Sequence, residues 1–427
     1  MAMTMEHQRT NQQKTMRIEG GRELSGTIRL SGAKNAALPM IAAACLGEEP
    51  TILDNVPIEL RDVQILIRVL REAGAYIALE GSSLACARGD FPRGTVNREA
   101  SEIRYSLLLL GLAAAHRGEL LLPMPGGCKI GDRKYDLHLM GLQRLGARIE
   151  ETEAGIRVAS EGGVGADIEF YLPTTSGTEN LMIAAALASG RTTILNANTR
   201  PEIMEMAKLM NLMGAKVSCS NRVVQIDGQS RIQGGVRYAI MPGWDEAVTY
   251  IVASAMTGGE ICIADFSLDF IREDVRHLRE IGVDVFEWGG AVYASGKKQK
   301  RAFDLFTAPY PGINSDMQPI FAALAFTAAG KSTITDLRFT DRFRYVEELK
   351  KFGGSIHAFG NTAIVEGGRP LQGAHATATD LRGGASCVLA ALIAEGESII
   401  TNVSQIERGY ENIAGKLRQL GARIDTP

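Results

Sequence analysis

The chain has 427 residues, of which 45% are hydrophobic and 22% charged, and its formal net charge is −3. This length exceeds the size at which one hydrophobic core keeps growing, so the composition predicts a globular protein with two domains. The small net charge excludes the strongly basic bias of proteins that bind nucleic acid or anionic membrane surfaces, and we expect neither partner.

The N-terminal segment and the cysteines indicate the class of protein. Residues 1–15 are polar and lack the apolar segment of a signal peptide, so we expect a disordered tail. The longest apolar run, residues 107–115, is too short to span a bilayer. None of the six cysteines has another Cys or a His within four positions, so we expect neither a metal nor a cofactor. Dispersed thiols in a large chain are typical of a reducing cytoplasm.

One unit of sequence occurs six times along the chain. A helix-like segment ends in a glycine and continues into a strand-like tail, and the first copy reads LIRVLREAGAYI. A glycine just after a periodic apolar helix is the expected left-handed cap, and the β-branched residues after it favour a strand. The glycines lie 68 to 72 residues apart, at Gly74, Gly146, Gly214, Gly282, Gly353 and Gly421.

Each repeat also contains an earlier helix rich in Ala and Leu, such as LLLLGLAAA. These helices are apolar on nearly all sides and are predicted to be buried, whereas the helices that end in glycine are amphipathic and predicted to be outer. Six repeats predict three in each domain, with a crossing near Gly243. A solenoid is the alternative, but repeats near 70 residues are longer than those of common solenoids, and neither end shows a polar capping repeat.

One cysteine lies in a segment that cannot belong to a core. Cys128 is part of PGGCKIGDR (residues 125–133), where Pro and Gly break helix and strand and the charges require solvent. Neighbouring cations favour the thiolate, so we predict an exposed loop with a reactive thiol. An idle exposed thiol is the alternative interpretation.

Charged and polar residues recur at the starts of the predicted helices. A helix N-terminus favours anions, so cationic side chains there predict a site for phosphate and carboxylate groups. An Arg or Asp at a helix start is otherwise a cap or a surface ion pair, and this is the interpretation that we keep for Arg61. The residues before the buried helices are Lys34, Asn35, Arg104, Thr174, Thr175, Ser176, Asp245, Glu246, Asp316, Asp380 and Arg382, and arginines precede three terminal glycines by thirteen residues at Arg61, Arg133 and Arg408.

Together these motifs resemble the enolpyruvyl transferase (EPSP synthase-like) family over residues 16–424. The motifs are LSGAKNAALP, PGGCKIGDR followed by DLH, SDMQP, ATDLR and IERGYENI. The resemblance implies an α/β fold, a two-domain inside-out α/β barrel of six βαβαββ repeats with three repeats per domain. It assigns residues 16–33 and 243–427 to one domain and residues 34–242 to the other, with the cysteine loop as a lid that closes on substrates.

The resemblance also implies an activity, namely transfer of the enolpyruvyl group of phosphoenolpyruvate to the 3′-hydroxyl of UDP-N-acetylglucosamine with release of phosphate. This chemistry needs a base and an acid on either side of the enol ether carbon, and cations for the charged adduct. Asp316 would be the base, and Cys128 would be the acid or assist product release. Lys34 would be a further catalytic residue that binds phosphoenolpyruvate with Arg133 and Arg408. The acceptor and the intermediate would contact Asn35, Arg104, Arg133, Lys134, Asp136, Leu137, Thr174, Thr175, Ser176, Asp316, Arg338, Asp380 and Arg382.

Three segments depart from the family's usual residues. Residues 133–135 read Arg-Lys-Tyr where Arg-Pro is common, residues 174–176 read Thr-Thr-Ser where Ser-Val-Gly is common, and PGWDEAVTY replaces a Pro-Asp-Arg-Ile-Glu start. The first two lie where the family binds the nucleotide, so another uridine nucleotide remains open as the acceptor. A catalytically silent paralogue that binds nucleotide sugars is the other alternative, although a binder has no need of both the acid Cys128 and the base Asp316.

Overall fold

The computed structural model describes residues 14–92, 94–126, 134–339 and 341–426. The described chain separates into two compact units. Unit 1 contains residues 14–30 and 244–426, and unit 2 contains the described residues between 31 and 243.

Twelve α-helices occur in the described residues, and they alternate between two kinds. The odd-numbered helices are almost entirely buried, whereas the even-numbered helices expose one face to solvent, as the sequence predicts. In chain order they are α1 (Lys34–Ala44), α2 (Arg61–Glu72), α3 (Leu108–Ala115), α4 (Asp136–Arg144), α5 (Thr175–Ala185), α6 (Pro201–Leu212), α7 (Trp244–Thr257), α8 (Arg272–Ile281), α9 (Gln318–Ala325), α10 (Tyr345–Lys350), α11 (Leu381–Ile393) and α12 (Ile413–Gln419).

Short strands and 3₁₀ helices make up the rest of the regular secondary structure in the described chain. The strands are β1 (Met16–Glu19), β2 (Ser25–Arg29), β3 (Gly47–Glu49), β4 (Thr51–Asp54), β5 (Tyr76–Glu80), β6 (Ser83–Ala87), β7 (Gly94–Thr95), β8 (Glu119–Leu122), β9 (Arg148–Thr152), β10 (Gly155–Ala159), β11 (Asp167–Glu169), β12 (Arg191–Leu195), β13 (Val217–Ser220), β14 (Val223–Asp227), β15 (Ile232–Gly234), β16 (Arg237–Ala239), β17 (Glu260–Ala264), β18 (Asp284–Trp288), β19 (Ala291–Ser295), β20 (Lys300–Arg301), β21 (Asp304–Phe306), β22 (Ala328–Ala329), β23 (Lys331–Thr335), β24 (Ser355–Phe359), β25 (Thr362–Glu366), β26 (His375–Thr377), β27 (Glu397–Thr401) and β28 (Arg423–Asp425). The 3₁₀ helices are Arg98–Glu102, Arg104–Leu107, Leu268–Ile271, Ser315–Met317 and Val403–Gln405.

Each unit has three four-stranded sheets that share one plan. In each order given below, the first two strands are parallel, and the third and fourth strands each run antiparallel to the strand before them. In unit 2 the strand orders are β16-β4-β6-β5, β7-β8-β10-β9 and β11-β12-β14-β13. In unit 1 they are β2-β17-β19-β18, β21-β23-β25-β24 and β26-β27-β1-β28. Two further pairs, β15 with β3 and β20 with β22, are parallel. The repeated plan confirms the α/β fold class expected from the six repeats.

The N-terminal segment completes two sheets of unit 1. Strand β1 runs antiparallel to both β27 and β28, and Arg17 pairs with Ile399 on one side and with Asp425 on the other. Strand β2 runs parallel to β17, with Thr27 opposite Cys262. The first strands of the chain are therefore held by strands from its C-terminal half.

All six glycines predicted to cap helices adopt the left-handed conformation, with φ between 78° and 110°. Only glycine reaches this region without a steric penalty from Cβ, so the repeat signal reflects a backbone requirement. The strand after each glycine begins two or three residues later, at Tyr76 in the first repeat and at Val217 in the third. The predicted helix, cap and strand order is confirmed in every repeat.

The buried helices pack closely enough to restrict residue size at their contacts. A Cβ on Gly111 of α3 would lie 2.2 Å from Oδ1 of Asn180 on α5, so glycine is needed at this close approach. No helix in the described ranges is both long and apolar enough to cross a membrane.

Candidate active site

In unit 1, the carboxylate of Asp316 lies against two buried arginines. Asp316 belongs to the 3₁₀ helix that precedes α9, and the Asn314 side chain caps this helix by accepting from the Asp316 N–H at 2.9 Å. Arg342 Nη2 donates to Asp316 Oδ1 at 2.6 Å, and Arg382 Nε donates to Oδ2 at 3.4 Å. The two arginine side chains are 4% and 1% exposed, whereas that of Asp316 is 26% exposed. The two buried arginines thus hold the carboxylate of Asp316 in place, while part of it remains accessible to solvent.

Arg382 is a buried cation with several acidic and aromatic contacts. It is the second residue of α11, its Nη2 pairs with the carboxylate of Asp245 on α7, and its guanidinium carbon lies 4.9 Å from the centre of the Tyr410 ring. Burial opposes the charge, but Asp245, Tyr410 and Asp316 together raise the pKa of Arg382 well above its ordinary value. Its Nη1 group has no hydrogen-bond partner among the described residues.

Asp380 caps the helix that carries Arg382. Its Oδ1 accepts from the backbone N–H groups of Arg382 at 3.1 Å and Gly383 at 3.0 Å, which satisfies two donors that a helix start otherwise leaves unpaired. The structure therefore brings three predicted residues, Asp316, Asp380 and Arg382, into one cluster.

Arg342 is a member of this cluster that sequence analysis missed. Besides Asp316, its Nη1 donates to Ser315 Oγ at 3.0 Å, and Ser315 in turn donates to Asp336. Arg342 precedes Gly353 by eleven residues (353 − 342), whereas the predicted arginines precede their glycines by thirteen. A search that allowed the spacing to vary in the fifth repeat would have found it.

The other two predicted arginines of unit 1 lie in more accessible segments. Arg338 is exposed after β23, where its backbone N–H donates to Asp336 Oδ1 at 2.8 Å and its guanidinium carbon lies 5.8 Å from the Phe339 ring. Arg408 is half-buried in the turn before α12. Arg338 is connected to the Asp316 cluster through Asp336, which also binds Ser315.

In unit 2, Lys34 is the first residue of α1 and pairs with Asp62 near the start of α2. The Nζ to Oδ2 distance is 3.5 Å, and the two side chains are only 11% and 9% exposed. No side chain caps the start of α1, so its N–H groups and the ammonium of Lys34 make this helix end positive. Asn35, the next residue, is half-buried, and its backbone carbonyl accepts from the Tyr105 hydroxyl at 3.5 Å.

The predicted nucleotide-binding residues of unit 2 lie around the start of α4. Arg104 Nη2 donates to the Lys134 carbonyl at 2.6 Å, which joins two predicted residues. Asp136, the first residue of α4, accepts from the Tyr171 hydroxyl at 2.8 Å, and Leu137 beside it is buried.

The three residues at the start of α5 present their hydroxyl groups around one helix turn. Thr174 precedes the helix without capping it by its side chain, and its carbonyl accepts from the Thr178 N–H. Thr175 Oγ1 lies 3.1 Å from Asn198 Nδ2, and Ser176 Oγ lies 3.1 Å from His138 Nε2. Sequence analysis predicted the three hydroxyl residues but missed Asn198 and His138, which form hydrogen bonds with two of them.

The predicted residues Cys128 and Arg133 lie outside the described residues. The five described cysteines are free thiols. Burial raises the pKa of Cys86 to about 12 and that of Cys219 to about 11, and it raises the pKa values of Cys45 and Cys387 as well. These four thiols are therefore poor nucleophiles at neutral pH. Within the described ranges, no group of three or more His, Cys, Asp or Glu side chains is placed to hold a metal ion.

Comparison with known proteins gives a consistent set of relatives. Residues 18–417 match the family model of EPSP synthase (3-phosphoshikimate 1-carboxyvinyltransferase). The chain is 40% identical to UDP-N-acetylglucosamine 1-carboxyvinyltransferase 1 of Symbiobacterium thermophilum, over 95% of this chain and 94% of that protein. It is 42% identical to UDP-N-acetylglucosamine 1-carboxyvinyltransferase of Sorangium cellulosum, over 96% and 97% of the two chains.

A solved structure supports the fold independently. The enolpyruvyl transferase NikO from Streptomyces tendae superposes with a TM-score of 0.87, at 24% identity, over 97% of this chain and 100% of that one. At this identity the similarity establishes the fold.

Proposed function

Because this chain belongs to the EPSP synthase family, we propose that it transfers the enolpyruvyl group of phosphoenolpyruvate to the 3′-hydroxyl of UDP-N-acetylglucosamine and releases phosphate. Relatives named for this reaction, at about 40% identity over nearly the full length of both chains, support the choice of acceptor. The reaction is the first committed step towards peptidoglycan precursors.

The observation that carries the proposal is the position of Asp316. A partly exposed carboxylate, oriented by Arg342 and Arg382, is suited to accept a proton from a substrate hydroxyl. In the proposed reaction the 3′-oxygen attacks C2 of phosphoenolpyruvate, its proton passes to Asp316, and C3 receives a proton from Cys128. The tetrahedral adduct then loses phosphate and a proton from C3, which leaves the enol ether.

The charges of the substrates suit the proposed binding residues. Phosphoenolpyruvate carries a phosphate and a carboxylate, and Lys34, Arg133 and Arg408 are proposed to bind them as charge-assisted donors. The buried guanidinium of Arg382 and its unsatisfied Nη1 group favour an anionic intermediate near Asp316. No resident metal or cofactor is part of the proposal.

Residues of unit 2 are proposed to bind the UDP-sugar. They are Asn35, Arg104, Lys134, Asp136, Leu137, Thr174, Thr175 and Ser176, and Arg338, Asp380 and Arg382 of unit 1 are proposed to orient the acceptor or the adduct. Both substrates are small metabolites of the cytoplasm, which is the proposed location. The free thiols among the described residues agree with such a reducing compartment.

The proposal is tested by phosphate release from phosphoenolpyruvate in the presence of UDP-N-acetylglucosamine, UDP-N-acetylgalactosamine or UDP-glucose. We expect the first to be used best, and Asp316→Asn to lower turnover by about 10²-fold because the base is lost. Asp304→Asn, at an exposed position of unit 1, is the matched control.

Three results would change the proposal. Faster release with another uridine nucleotide would favour the alternative acceptor, and binding of nucleotide sugars without any release would favour a silent paralogue. Normal turnover of a folded Asp316→Asn variant would remove Asp316 from the mechanism.

Cys128 is tested by its reaction with fosfomycin, a small phosphonate epoxide that resembles phosphoenolpyruvate. We expect a thioether on Cys128 and little reaction at the buried thiols, because their raised pKa values disfavour the thiolate. Cys128→Asp should keep turnover and resist the epoxide, since a carboxylic acid donates a proton but forms no thioether. Peptide mass mapping after brief exposure identifies the modified cysteine, and adducts spread evenly over several cysteines would contradict the assignment.

A further inference from the structure

The start of α7 carries a buried acid to which the proposed reaction gives no role. Asp245 is the second residue of this helix, and its side chain is 5% exposed. Its Oδ2 pairs with Arg382 Nη2, and its Oδ1 accepts from the backbone N–H of Glu246 at 2.9 Å. A carboxylate is buried at little cost only where its partners compensate its charge, so the function of Asp245 has to be sought through Arg382.

This acid is a departure of the chain from the family pattern that it resembles. When PGWDE is aligned on Pro242 and Glu246 with the family's Pro-Asp-Arg-Ile-Glu start, Asp245 stands where the family commonly has Ile. Asp316 and Arg382, in contrast, belong to the motifs SDMQP and ATDLR that carry the resemblance. The chain has therefore added a carboxylate as a partner of an arginine that follows the family pattern.

The guanidinium of Arg382 is shared between two carboxylates. Among the described residues, it forms ion pairs with Asp245 through Nη2 and with Asp316 through Nε. The distance from Nε to Asp316 Oδ2 is 3.4 Å, which is long for a charge-assisted hydrogen bond. Burial opposes the charge of Arg382, and of the two carboxylates Asp245 does more to raise its pKa. Arg382 is thus held mainly by Asp245 and contacts Asp316 only loosely.

The loose contact matters because Asp316 is the proposed base. Its Oδ1 accepts from Arg342 Nη2 at 2.6 Å, so one oxygen is already bound closely by a cation. A closer approach of Arg382 would stabilise the ionised carboxylate further and would occupy Oδ2. Both effects would make Asp316 a weaker acceptor of the substrate proton.

The other carboxylates near this cluster are engaged elsewhere. Glu246, the next residue of α7, pairs with Lys416 at 2.6 Å. Asp380 accepts from two backbone N–H groups at the start of α11, and Asp336 accepts from two hydroxyl groups. Of these carboxylates, Asp245 is the one that pairs with the guanidinium.

We propose that Asp245 is a positioning residue of the transfer reaction, which holds Arg382 by Nη2 and thereby prevents Arg382 from closing onto the base Asp316. The inference rests on the proposed function and adds to it a residue that acts through Arg382. Without the charge at position 245, Asp316 is the carboxylate left to compensate the buried guanidinium, which should therefore move onto it. The base is then weaker although the substrate-binding residues are unchanged.

Steady-state kinetics test this role through the separate effects on kcat and KM. Asp245→Asn and Asp245→Ile remove the charge, and each should lower kcat about tenfold while the KM values of both substrates stay within about twofold. Asp245→Glu keeps the charge and should retain kcat within about threefold. Glu246→Gln is the matched control, because it breaks the neighbouring buried ion pair of the same helix, and its kcat should stay within about twofold.

Crystal structures of the variants test the movement of Arg382 without relying on turnover. In Asp245→Asn and Asp245→Ile, a guanidinium nitrogen should approach Asp316 Oδ2 to about 2.8 Å, from the 3.4 Å of the unmodified chain. In Asp245→Glu the guanidinium should stay in place. Two neutral variants are used because breaking a buried ion pair destabilises unit 1, and Ile has no polar group to bury. Each variant is assayed at a temperature at which circular dichroism shows that it is folded.

The outcomes separate this inference from the proposed function. An unmoved Arg382 in the neutral variants, an effect confined to KM, or an equal loss of kcat in Glu246→Gln would each overturn the role of Asp245. An unmodified protein that transfers enolpyruvate to none of the uridine nucleotides would instead refute the proposed function, and the position of Arg382 in the crystals would still test the contact with Asp245.

Discussion

The first turns of α5 and α11 are equivalent places in the third repeats of the two units, yet they are built from different chemistry. At α11, the side chain of Asp380 caps the helix, and the second residue is a buried arginine paired with Asp245 and Asp316. At α5, no side chain caps the helix, and the hydroxyl groups of Thr175 and Ser176 form hydrogen bonds with an amide and an imidazole.

The difference shows that the repeat determines where polar side chains lie but not whether those side chains are charged or neutral. A buried cation is tolerated at α11 because Asp245 and Asp316 approach it from other helices, and truncating one partner of such a pair leaves an uncompensated charge. The hydrogen bonds of Thr175 and Ser176 at the start of α5 involve no ion pair. The start of α11 should therefore depend on its ion pairs for stability, whereas the start of α5 should be sensitive to any charge introduced there.

The largest expected effect comes from breaking the ion pair at α11. Asp245→Asn removes the main carboxylate partner of Arg382, and we expect a loss of about 3–5 kcal/mol in the free energy of unfolding of unit 1. Denaturant unfolding followed by tryptophan fluorescence measures this unit selectively, because both tryptophans of the chain, buried Trp244 and exposed Trp288, lie in it.

Lys298→Ala provides the comparison for a surface charge of unit 1, because Lys298 forms an exposed ion pair with Asp284. Such pairs contribute about 0–1 kcal/mol, as does the exposed pair of Arg61 with Glu102 in unit 2, which the sequence predicts. If Asp245→Asn were no more destabilising than Lys298→Ala, the buried charge at α11 would not be a determinant of the stability of unit 1.

A smaller effect is expected when acid introduces a charge into unit 2. His116, directly after α3, is buried and bonds the Cys45 carbonyl through Nε2 at 2.9 Å. Burial lowers its pKa from 6.5 to about 4. The unfolded chain therefore binds a proton at higher pH than the folded chain does. The contribution of neutral His116 is complete above pH 6.5 and is lost as the pH falls towards 4, by about 3 kcal/mol in total.

Hydrogen exchange of peptides that cover α3, followed from pH 7 to pH 4 and corrected for the intrinsic exchange rate, measures this dependence. In the His116→Gln variant, the protection of the α3 amides from exchange should fall less steeply as the pH decreases. His375→Gln, at an exposed position of unit 1, should leave this pH dependence unchanged. An equally steep loss in the His116→Gln protein would assign the acid sensitivity of unit 2 to other groups.

The repeated elements of the fold were predictable from the sequence because their signals are local. Gly74, Gly214 and the other cap glycines mark backbone positions that require positive φ, and the apolar composition of helices such as α3 requires burial wherever the helix lies. The pairing of β1 between β27 and β28 joins residues about 400 positions apart, and no local pattern specifies such a register. The family resemblance, rather than the spacing, implied that the N-terminal segment belongs with the C-terminal half.

The candidate site was predictable only in part. Asp316, Asp380 and Arg382 were found because each lies at or just before the start of a buried helix. Arg342 was missed because its spacing differs, and His138 was missed because a histidine within DLH has no distinctive pattern of its own. Its importance depends on Asn180 and Gly111, which are contributed by other helices. The predicted roles of the site residues remain predictions.

The pairing of β1 also sets the order in which the chain can fold during synthesis. Residues 31–243 form a continuous stretch that contains all the strands of unit 2, so that unit can be completed while translation continues. Strand β1, residues 16–19, leaves the ribosome before any strand of unit 2. It cannot pair until residues 397–400 of β27 and residues 423–425 of β28 have been made. Unit 1 therefore begins with an unpaired strand that must wait for nearly the whole chain, and a ribosome stalled before residue 397 would carry a finished unit 2 beside an open sheet edge.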